Sequence, residues 1–370
     1  MAPDRSTIDV YEQQAEAWQA VREAQHTDAA VTLGRRVAAS GLTGPVVDLG
    51  CGPGWHAPAL SEPRGGSGHG IVSLDAARAM LELVPDHAPD ALRVRADLAA
   101  LPFARGTLAG AWASRCYVHL ARRDLPMALA DLHRALVVGA PFELHAFTGD
   151  LEHGPLGDDR FAGRMFSLWP ETLLLDVVTG AGFTVDDLTV ETGRDPIGLV
   201  VVRGVRARTL ADTVGADMRL LVCGLNPSVY SADAGVPFAR PGNRFWPAAL
   251  AAGLVSIDRD PVAALREHGM GMTDLVKRAT PRADGLTRAE YRAGVERLER
   301  LAAWLRPGAI CFVGLAGWRS AVDRAAVAGP QPERLGGAPV YVMPSTSGVN
   351  ARVPPSELSA HLRAAADLAG

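Results

Sequence analysis

At 370 residues the chain is longer than one hydrophobic core usually serves, so two domains are expected. A hydrophobic content of 48% with 21% charged residues is that of a soluble globular protein; no apolar run is long enough for a membrane span, and the polar, acid-bearing start MAPDRSTIDVYEQQ does not read as a secretory signal. The net charge of −4 hides an asymmetry, because basic residues outnumber acidic ones from residue 206 onward while the first 205 residues carry the acidic excess; only the second half is suited to a polyanion. Residues 8–39 read as helix, with Val10, Ala15, Trp18, Val21 and Ala29 on an imperfect apolar face. GPVVDLGCGPGWHAPAL is a strand, a glycine turn and a helix, and GIVSLDAARAMLELV repeats strand and helix. LRVRADLAALPF and TLAGAWASRCYVHL supply third and fourth strands, and LPMALADLHRALVVGAPFELHAF a helix, a glycine stop and a fifth. PETLLLDVVTGAG is a further helix, and FTVDDLTVET with IGLVVVRGV close the unit as paired strands. This alternation predicts a doubly wound α/β sheet with an antiparallel edge over residues 1–205.

Residues 206–217 read as a linker or short connecting helix. The pattern restarts at MRLLVCG, with strands predicted at 219–223, 271–275, 309–314 and 339–343. Helices are predicted at 243–253, 287–305, 316–328 and 355–368, giving a second, smaller α/β domain over 218–370. Cys51, Cys116, Cys223 and Cys311 are scattered without a CxxC pair, which is neither a zinc nor an iron–sulfur set. No metal is expected, and reduced thiols suit a cytoplasmic protein, here expected to be a monomer with no membrane partner.

Two constellations carry chemistry. In the first half, Gly50, Gly52 and Gly54 follow a strand and open a helix, where small residues let backbone N–H groups approach a ligand. Asp75 ends the next strand, where an acid accepts hydrogen bonds from ribose hydroxyls. Asp48 precedes the triplet and Asp97 follows the third strand. The segments VVDLGCGPG, SLDAARAML and RADLAALPF, in this order, resemble the class I S-adenosylmethionine-dependent methyltransferases over residues 8–203. That resemblance implies a Rossmann-like methyltransferase sheet with S-adenosyl-L-methionine as cofactor. It implies Asp48, Gly50, Gly52 and Gly54 on the methionine side, Asp75 at the ribose, Asp97 at the adenine amino group and Leu98 beside the ring. The methyl acceptor stays unknown. SRCYVH follows the fourth strand, where amino-methylating DNA enzymes carry an Asn-Pro-Pro-Tyr type of motif and cytosine-C5 enzymes a Pro-Cys. Tyr117 and His119 are placed either to touch an acceptor or only to pack, and Cys116 reads as a buried thiol.

In the second half, GLNPSVYSADAGVPFARPGNRFW follows the first strand and MPSTSGVNARVPP the last, so both fall on the carboxyl rim of one sheet. An amide held by proline, an aromatic ring and a small apolar residue after a hydroxyl-rich loop suit a base removed from a duplex. Together with GMTDLVKR, these segments resemble the mismatch-specific uracil/thymine DNA glycosylases of the uracil-DNA glycosylase superfamily, over residues 218–370. The resemblance implies an α/β/α uracil-DNA-glycosylase sheet that acts on double-stranded DNA with mismatched or damaged bases, without a cofactor. Asn226 would hold the attacking water. Phe238 would stack on the flipped pyrimidine, backbone near Leu225 and Phe238 would read its edge, and Asn243 with Arg244 would fix the pocket wall. Ser345, Thr346, Ser347 and Gly348 would contact the DNA backbone, Val349 would enter the stack, and Asn350 or Arg352 would face the unpaired base.

The chain departs from that pattern at Ser228, where glycine is usual and a side chain would narrow the pocket. No His stands in the second loop, and no Asp closely follows the first motif, Asp233 lying several residues on. Lys277, the only lysine, is a poor Schiff-base nucleophile. The expectation is a monofunctional glycosylase that releases uracil, and in a broader version thymine or etheno-cytosine, opposite guanine. The competing reading is a small-molecule or RNA methyltransferase whose second domain only binds nucleic acid.

Overall fold

The computed structural model describes residues 5–192, 197–281, 285–348, 350 and 353–370. The chain forms two compact units, one of residues 1–178 with 183–207, the other of 179–182 with 208–370. Among the described residues no helix is long and apolar enough to cross a membrane.

The first unit runs α1 (Arg5–Val21), α2 (Thr27–Ser40), β1 (Val46–Leu49), α3 (Ala57–Leu60), β2 (Ile71–Asp75), α4 (Arg78–His87), β3 (Leu92–Arg95), β4 (Gly110–Ser114), α5 (Leu125–Ala135), β5 (Pro141–Phe147), α6 (Glu171–Gly180), β6 (Phe183–Glu191) and β7 (Leu199–Arg206). Its seven strands lie in the order β3-β2-β1-β4-β5-β7-β6. The first five are parallel, and β7 runs antiparallel to both β5 and β6. β1, β2, β4 and β5 are buried almost throughout, as near-continuous apolar runs covered on two faces must be. The helix expected over 8–39 is two helices. Arg22-Glu23-Ala24-Gln25-His26 offers no apolar stripe to bury, and His26, with a left-handed φ of 60°, stands at the N-cap of the second helix.

The second unit runs β8 (Leu220–Gly224), α7 (Val229–Ala234), α8 (Phe245–Ala251), α9 (Pro261–His268), β9 (Met270–Asp274), α10 (Arg288–Leu305), β10 (Ala309–Val313), α11 (Leu315–Ala321), β11 (Gly329–Leu335), β12 (Ala338–Met343) and α12 (Pro355–Asp367). Its strand order is β11-β12-β10-β8-β9, parallel except for β11. Alternation along the buried strands splits two cores. Leu221, Cys223, Ile310, Phe312, Val340 and Val342 pack with α10 and Trp318 on one face. Leu220, Val222, Ala309, Cys311 and Val313 pack with α8 and α12 on the other. β11 was not expected from sequence. Its Pro330 and Pro332 disfavour a strand, and this one tolerates them because it lies at the sheet edge. The helix expected over 316–328 correspondingly stops at Ala321. The short helices α7 and α9 were also not read. Both carry side-chain caps, from Ser228 and Asp260.

Within residues 206–217, Arg206 ends β7, and Leu210, Asp212, Thr213 and Val214 are buried. Thr213 bridges Met272 of β9 in both directions, 2.8 Å each way. Asp212 accepts from Lys277 Nζ at 2.6 Å, Arg297 Nη1 at 2.8 Å and Thr273 Oγ1 at 2.7 Å. Burial alone would raise the Asp212 carboxyl; the two cations hold it below the ordinary carboxylate range.

Candidate functional site

In each sheet the strand order reverses beside the first strand, between β1 and β4 and between β8 and β10, and such points open a crevice at the carboxyl ends. In the first unit, that end of the sheet borders a cavity of about 910 Å³. Asp48, Gly50, Gly52, Asp75, Asp97 and Leu98 all line it. Gly54 does not. A side chain there would press on Val84 of α4, 3.0 Å away, so this glycine serves helix packing. Gly50, with φ of 57°, is glycine for a different reason: a Cβ would lie 2.4 Å from Cys116 Cβ.

The acidic groups are arranged for a polar, partly cationic nucleoside ligand. Asp48 is 1% exposed, and its Oδ2 has no hydrogen-bond partner. Burial, reinforced by Asp75, pushes its carboxyl well above the usual range. A buried carboxylate without a donor is costly, and an ammonium or sulfonium beside it would remove that cost. Asp75 accepts Gly52 N–H at 3.0 Å and Ala77 N–H at 2.9 Å, which fixes its carboxylate at the cavity wall. Asp97 is fixed in the same way by Ala99 N–H at 2.8 Å. These residues fit S-adenosylmethionine. Trp18 and Trp55, stacked with centroids 5.1 Å apart, add apolar wall that the motif reading did not include. Cys116 is buried and its thiol is pushed up by desolvation, the setting of a structural thiol. Tyr117 is buried away from the cavity, whereas His119 lines it.

In the second unit the loop after β8 is zipped to the segment after β9. Leu275, Val276 and Thr280 N–H donate to Gly224, Leu225 and Pro227 C=O at 2.9, 3.0 and 3.1 Å. Asn226 Nδ2 donates to Thr280 Oγ1 at 2.7 Å and Arg278 C=O at 3.0 Å. The amide nitrogen is thereby spent inward, and Oδ1 is left as the acceptor. Arg278 is itself held, donating to Glu290 at 2.7 and 3.1 Å, and Glu290 completes the capping box of α10 with Thr287. Hydrogen bonding from Arg278 first, then from Thr287, keeps the Glu290 carboxyl at about 2. Leu225 turns its side chain toward Gly317 of α11, leaving only its backbone to the rim.

Phe238 is half-buried and stacks one face on Phe245, centroids 4.2 Å apart. Its φ of 56° is unusual for a bulky residue, and such strain collects at functional positions. Asn243 Oδ1 accepts Phe245 N–H at 2.9 Å at the start of α8. Arg244 does the bridging. Its N–H donates to Thr346 C=O at 2.9 Å, and its guanidinium donates to Asn350 C=O at 2.5 Å and Val353 C=O at 2.6 Å. Asn350 Nδ2 returns to Ser345 C=O at 3.0 Å. Thr346 is buried, Ser345 and Ser347 are half-buried and Gly348 is exposed. Gly348 also needs its missing side chain, because a Cβ would meet Gly242 C=O at 2.8 Å. The expectations for Val349 and Arg352 lie outside the described residues. Ser228 uses its hydroxyl to cap α7, accepting Ser231 N–H at 3.1 Å, and so does not point it at a ligand. Lys277 Nζ is held by Asp212, and Asp233 pairs on the surface with Arg208 at 2.6 Å.

Sequence reasoning missed Asp274. It is paired in register with Gly224 at the end of β9, and its Oδ1 lies 2.4 Å from where a Gly224 Cβ would be. The same point is 3.5 Å from Phe238 Cζ, so a carboxylate stands beside the ring. Among the described residues nothing donates a hydrogen bond to it. Burial, with Asp212 adding and Lys277 and Arg297 opposing, sets its carboxyl at about 6. The signal was the Asp in GMTDLVKR, distant in sequence from the first motif but adjacent to it across the sheet.

With both sites described, comparison with known proteins gives their class. Residues 211–367 match the family model described as uracil DNA glycosylase superfamily, and residues 46–139 match the one described as methyltransferase domain. The chain thus carries a methyltransferase domain followed by a uracil-DNA glycosylase superfamily domain. Among solved structures, similarity extends to the putative methyltransferase in a complex with the Haloferax volcanii Trm112 methyltransferase activator, at 17% identity and a TM-score of 0.44, covering 54% of this chain and 97% of that one. It also extends to the Burkholderia thailandensis 1,6-didemethyltoxoflavin-N1-methyltransferase, at 18% identity and a TM-score of 0.42, covering 55% and 87%.

Proposed function

We propose that the second domain is a monofunctional DNA glycosylase that hydrolyses the N-glycosidic bond of uracil mispaired with guanine in duplex DNA. The observation that supports this most directly is the tethered amide of Asn226, whose inward hydrogen bonds to Thr280 and Arg278 leave Oδ1 as an acceptor for a water. An amide is too weak a base to generate hydroxide. Its contribution is position, with charge near the sugar supplied by the Asp274 carboxylate as positive character develops there. Phe238 supplies a stacking face for the extruded base, and the cost of extrusion is lowest at a mismatch. Arg244, by tying the 345–350 loop to α8, sets the backbone that meets the DNA. The test is uracil release from a uracil·guanine duplex compared with a uracil·adenine one and a single strand. Release equal from all three would overturn mismatch preference, and no release at all would favour a domain that only binds nucleic acid.

We infer further that the first domain holds S-adenosylmethionine in its cavity, with Asp48 beside the positive charge, Asp75 at the ribose and Asp97 with Leu98 at the base. The cofactor would supply an electrophilic methyl group; the protein's residues orient it and exclude water. Asp75→Ala is expected to weaken S-adenosylhomocysteine binding at least tenfold by calorimetry, the loss of about one charge-assisted hydrogen-bond pair. Unchanged affinity in that variant would remove Asp75 from the site.

A further inference from the structure

We propose that Tyr11 and His119 form a proton relay on the wall of the first domain's cavity, and that the methyl acceptor is a small aromatic molecule presenting a phenolic hydroxyl. This rests on the reading of that cavity as a methyl-donor site.

The hydrogen bonds fix the direction of the relay. His119 Nδ1 lies 2.8 Å from Met165 C=O, which can only accept, so Nδ1 carries the proton and Nε2 is the basic nitrogen. Tyr11 Oη lies 3.0 Å from that Nε2 and donates to it. Arg164 Nη1 donates to the same Oη at 2.8 Å. A phenol oxygen has two acceptor positions, so one remains for a proton arriving from the cavity, which Tyr11, His119 and Arg164 all line. Arg164 does not swing freely. It pairs with Asp159 through Nε at 2.9 Å and sits 5.1–5.4 Å from the ring centres of Tyr11, Phe161 and Phe166. The groups that face Tyr11 are thus Arg164, Asp159, His119, Asp75 and Arg115. Burial first raises the Tyr11 hydroxyl above its ordinary value, and Arg164 opposes this. Tyr11 therefore passes a proton on, and does not rest as an anion.

The same wall selects the acceptor. Phe147 and Phe166 offer flat apolar surface to an aromatic ring, and the relay calls for an acceptor with a proton to give up. As the acceptor oxygen gains the methyl group its O–H bond breaks. The proton passes to Tyr11 Oη while the Tyr11 proton passes to His119 Nε2, leaving an imidazolium whose Nδ1–H stays on Met165 C=O. The methyl donor, when bound, would supply the methyl group and keep the electron pair of its S–CH3 bond on sulfur, which closes the balance. Tyr117, buried behind the loop, takes no part.

The experiment uses the full chain saturated with S-adenosylhomocysteine and 4-nitrophenol as probe, whose absorbance separates phenol from phenolate. The expected result is a bound ionisation midpoint about one pH unit or more below that of the free probe, equivalent to a tenfold preference for phenolate. Tyr11→Phe and His119→Ala should return the midpoint to the free value, and Tyr117→Phe should leave it shifted. An unshifted midpoint in the wild type, the same midpoint in His119→Ala, or no binding of the probe would each overturn the proposal. Calorimetry with S-adenosylhomocysteine alone reads the cofactor site separately, so its failure is distinguishable from failure of the relay.

Discussion

Asn226→Ala is expected to slow uracil release from a uracil·guanine duplex by about a hundredfold or more under single-turnover conditions, with duplex affinity nearly unchanged. The amide does no proton chemistry, so the whole loss comes from misplacing water, and an error of about 1 Å at a reacting atom is enough for that factor. The variant keeps the fold, because the backbone bonds that zip residues 224–227 to 275–280 do not involve the side chain. Two further substitutions separate position from chemistry. Thr280→Val removes the 2.7 Å partner of Nδ2 but leaves Arg278 C=O, so the amide stays roughly in place and the loss should be smaller. Asn226→Asp keeps the shape but brings a carboxylate against the Arg278 and Pro227 carbonyls, which repels the side chain from its seat. It should therefore be as slow as alanine despite being a better base. If Asn226→Ala released uracil at the wild-type rate, the residue would be a turn former only.

What the sequence made legible divides along the physics of each element. The buried strands β1, β4, β8, β10 and β12 were readable because a strand covered on both faces is a near-continuous apolar run between turn residues. The edge strand β11 was not, since GPQPERL alternates in burial without being apolar and holds two prolines. The glycine triplet was legible as a turn, but only the structure separates Gly52, at the cavity, from Gly54, which makes room for Val84. Single residues were harder. Asn243 and Arg244 are neighbours in the chain, yet one caps a helix start and the other ties two loops together. Asp274 was invisible because its meaning depends on register: only the pairing of Gly224 with Asp274 brings it to Phe238. Asp212 was read as part of a linker, and a lone acid in a polar segment gives no hint of the two cations it meets.

The rate of uracil release is expected to rise with pH through about 6 and then level off, and Asp274→Asn should abolish that rise and cut the plateau at least tenfold. The direction follows from ionisation. Below about 6 the group is a neutral acid that neither accepts a proton from water nor offsets positive charge on the sugar. Above it, an anion stands beside Phe238 with no donor among the described residues to quench it. The same placement has a cost. A carboxyl that titrates near 6 when folded and near 3.8 otherwise binds more protons in the folded state between those values. Its contribution to stability is therefore intact below 3.8 and is lost as pH rises through about 6, by at most about 3 kcal/mol. Asn has no charge to desolvate, so Asp274→Asn should resist unfolding of the second unit better than wild type at pH 7.5 and no better at pH 4. Because the two units need not unfold together, the reading should come from Trp246 or Trp318, both buried in that unit, or from exchange of the β9 amides. Loss of activity with a gain in stability is the signature of a charge kept buried for chemistry. Loss of both would make Asp274 an ordinary structural partner of Lys277 and Arg297, and the pH rise in the wild type would then need another group.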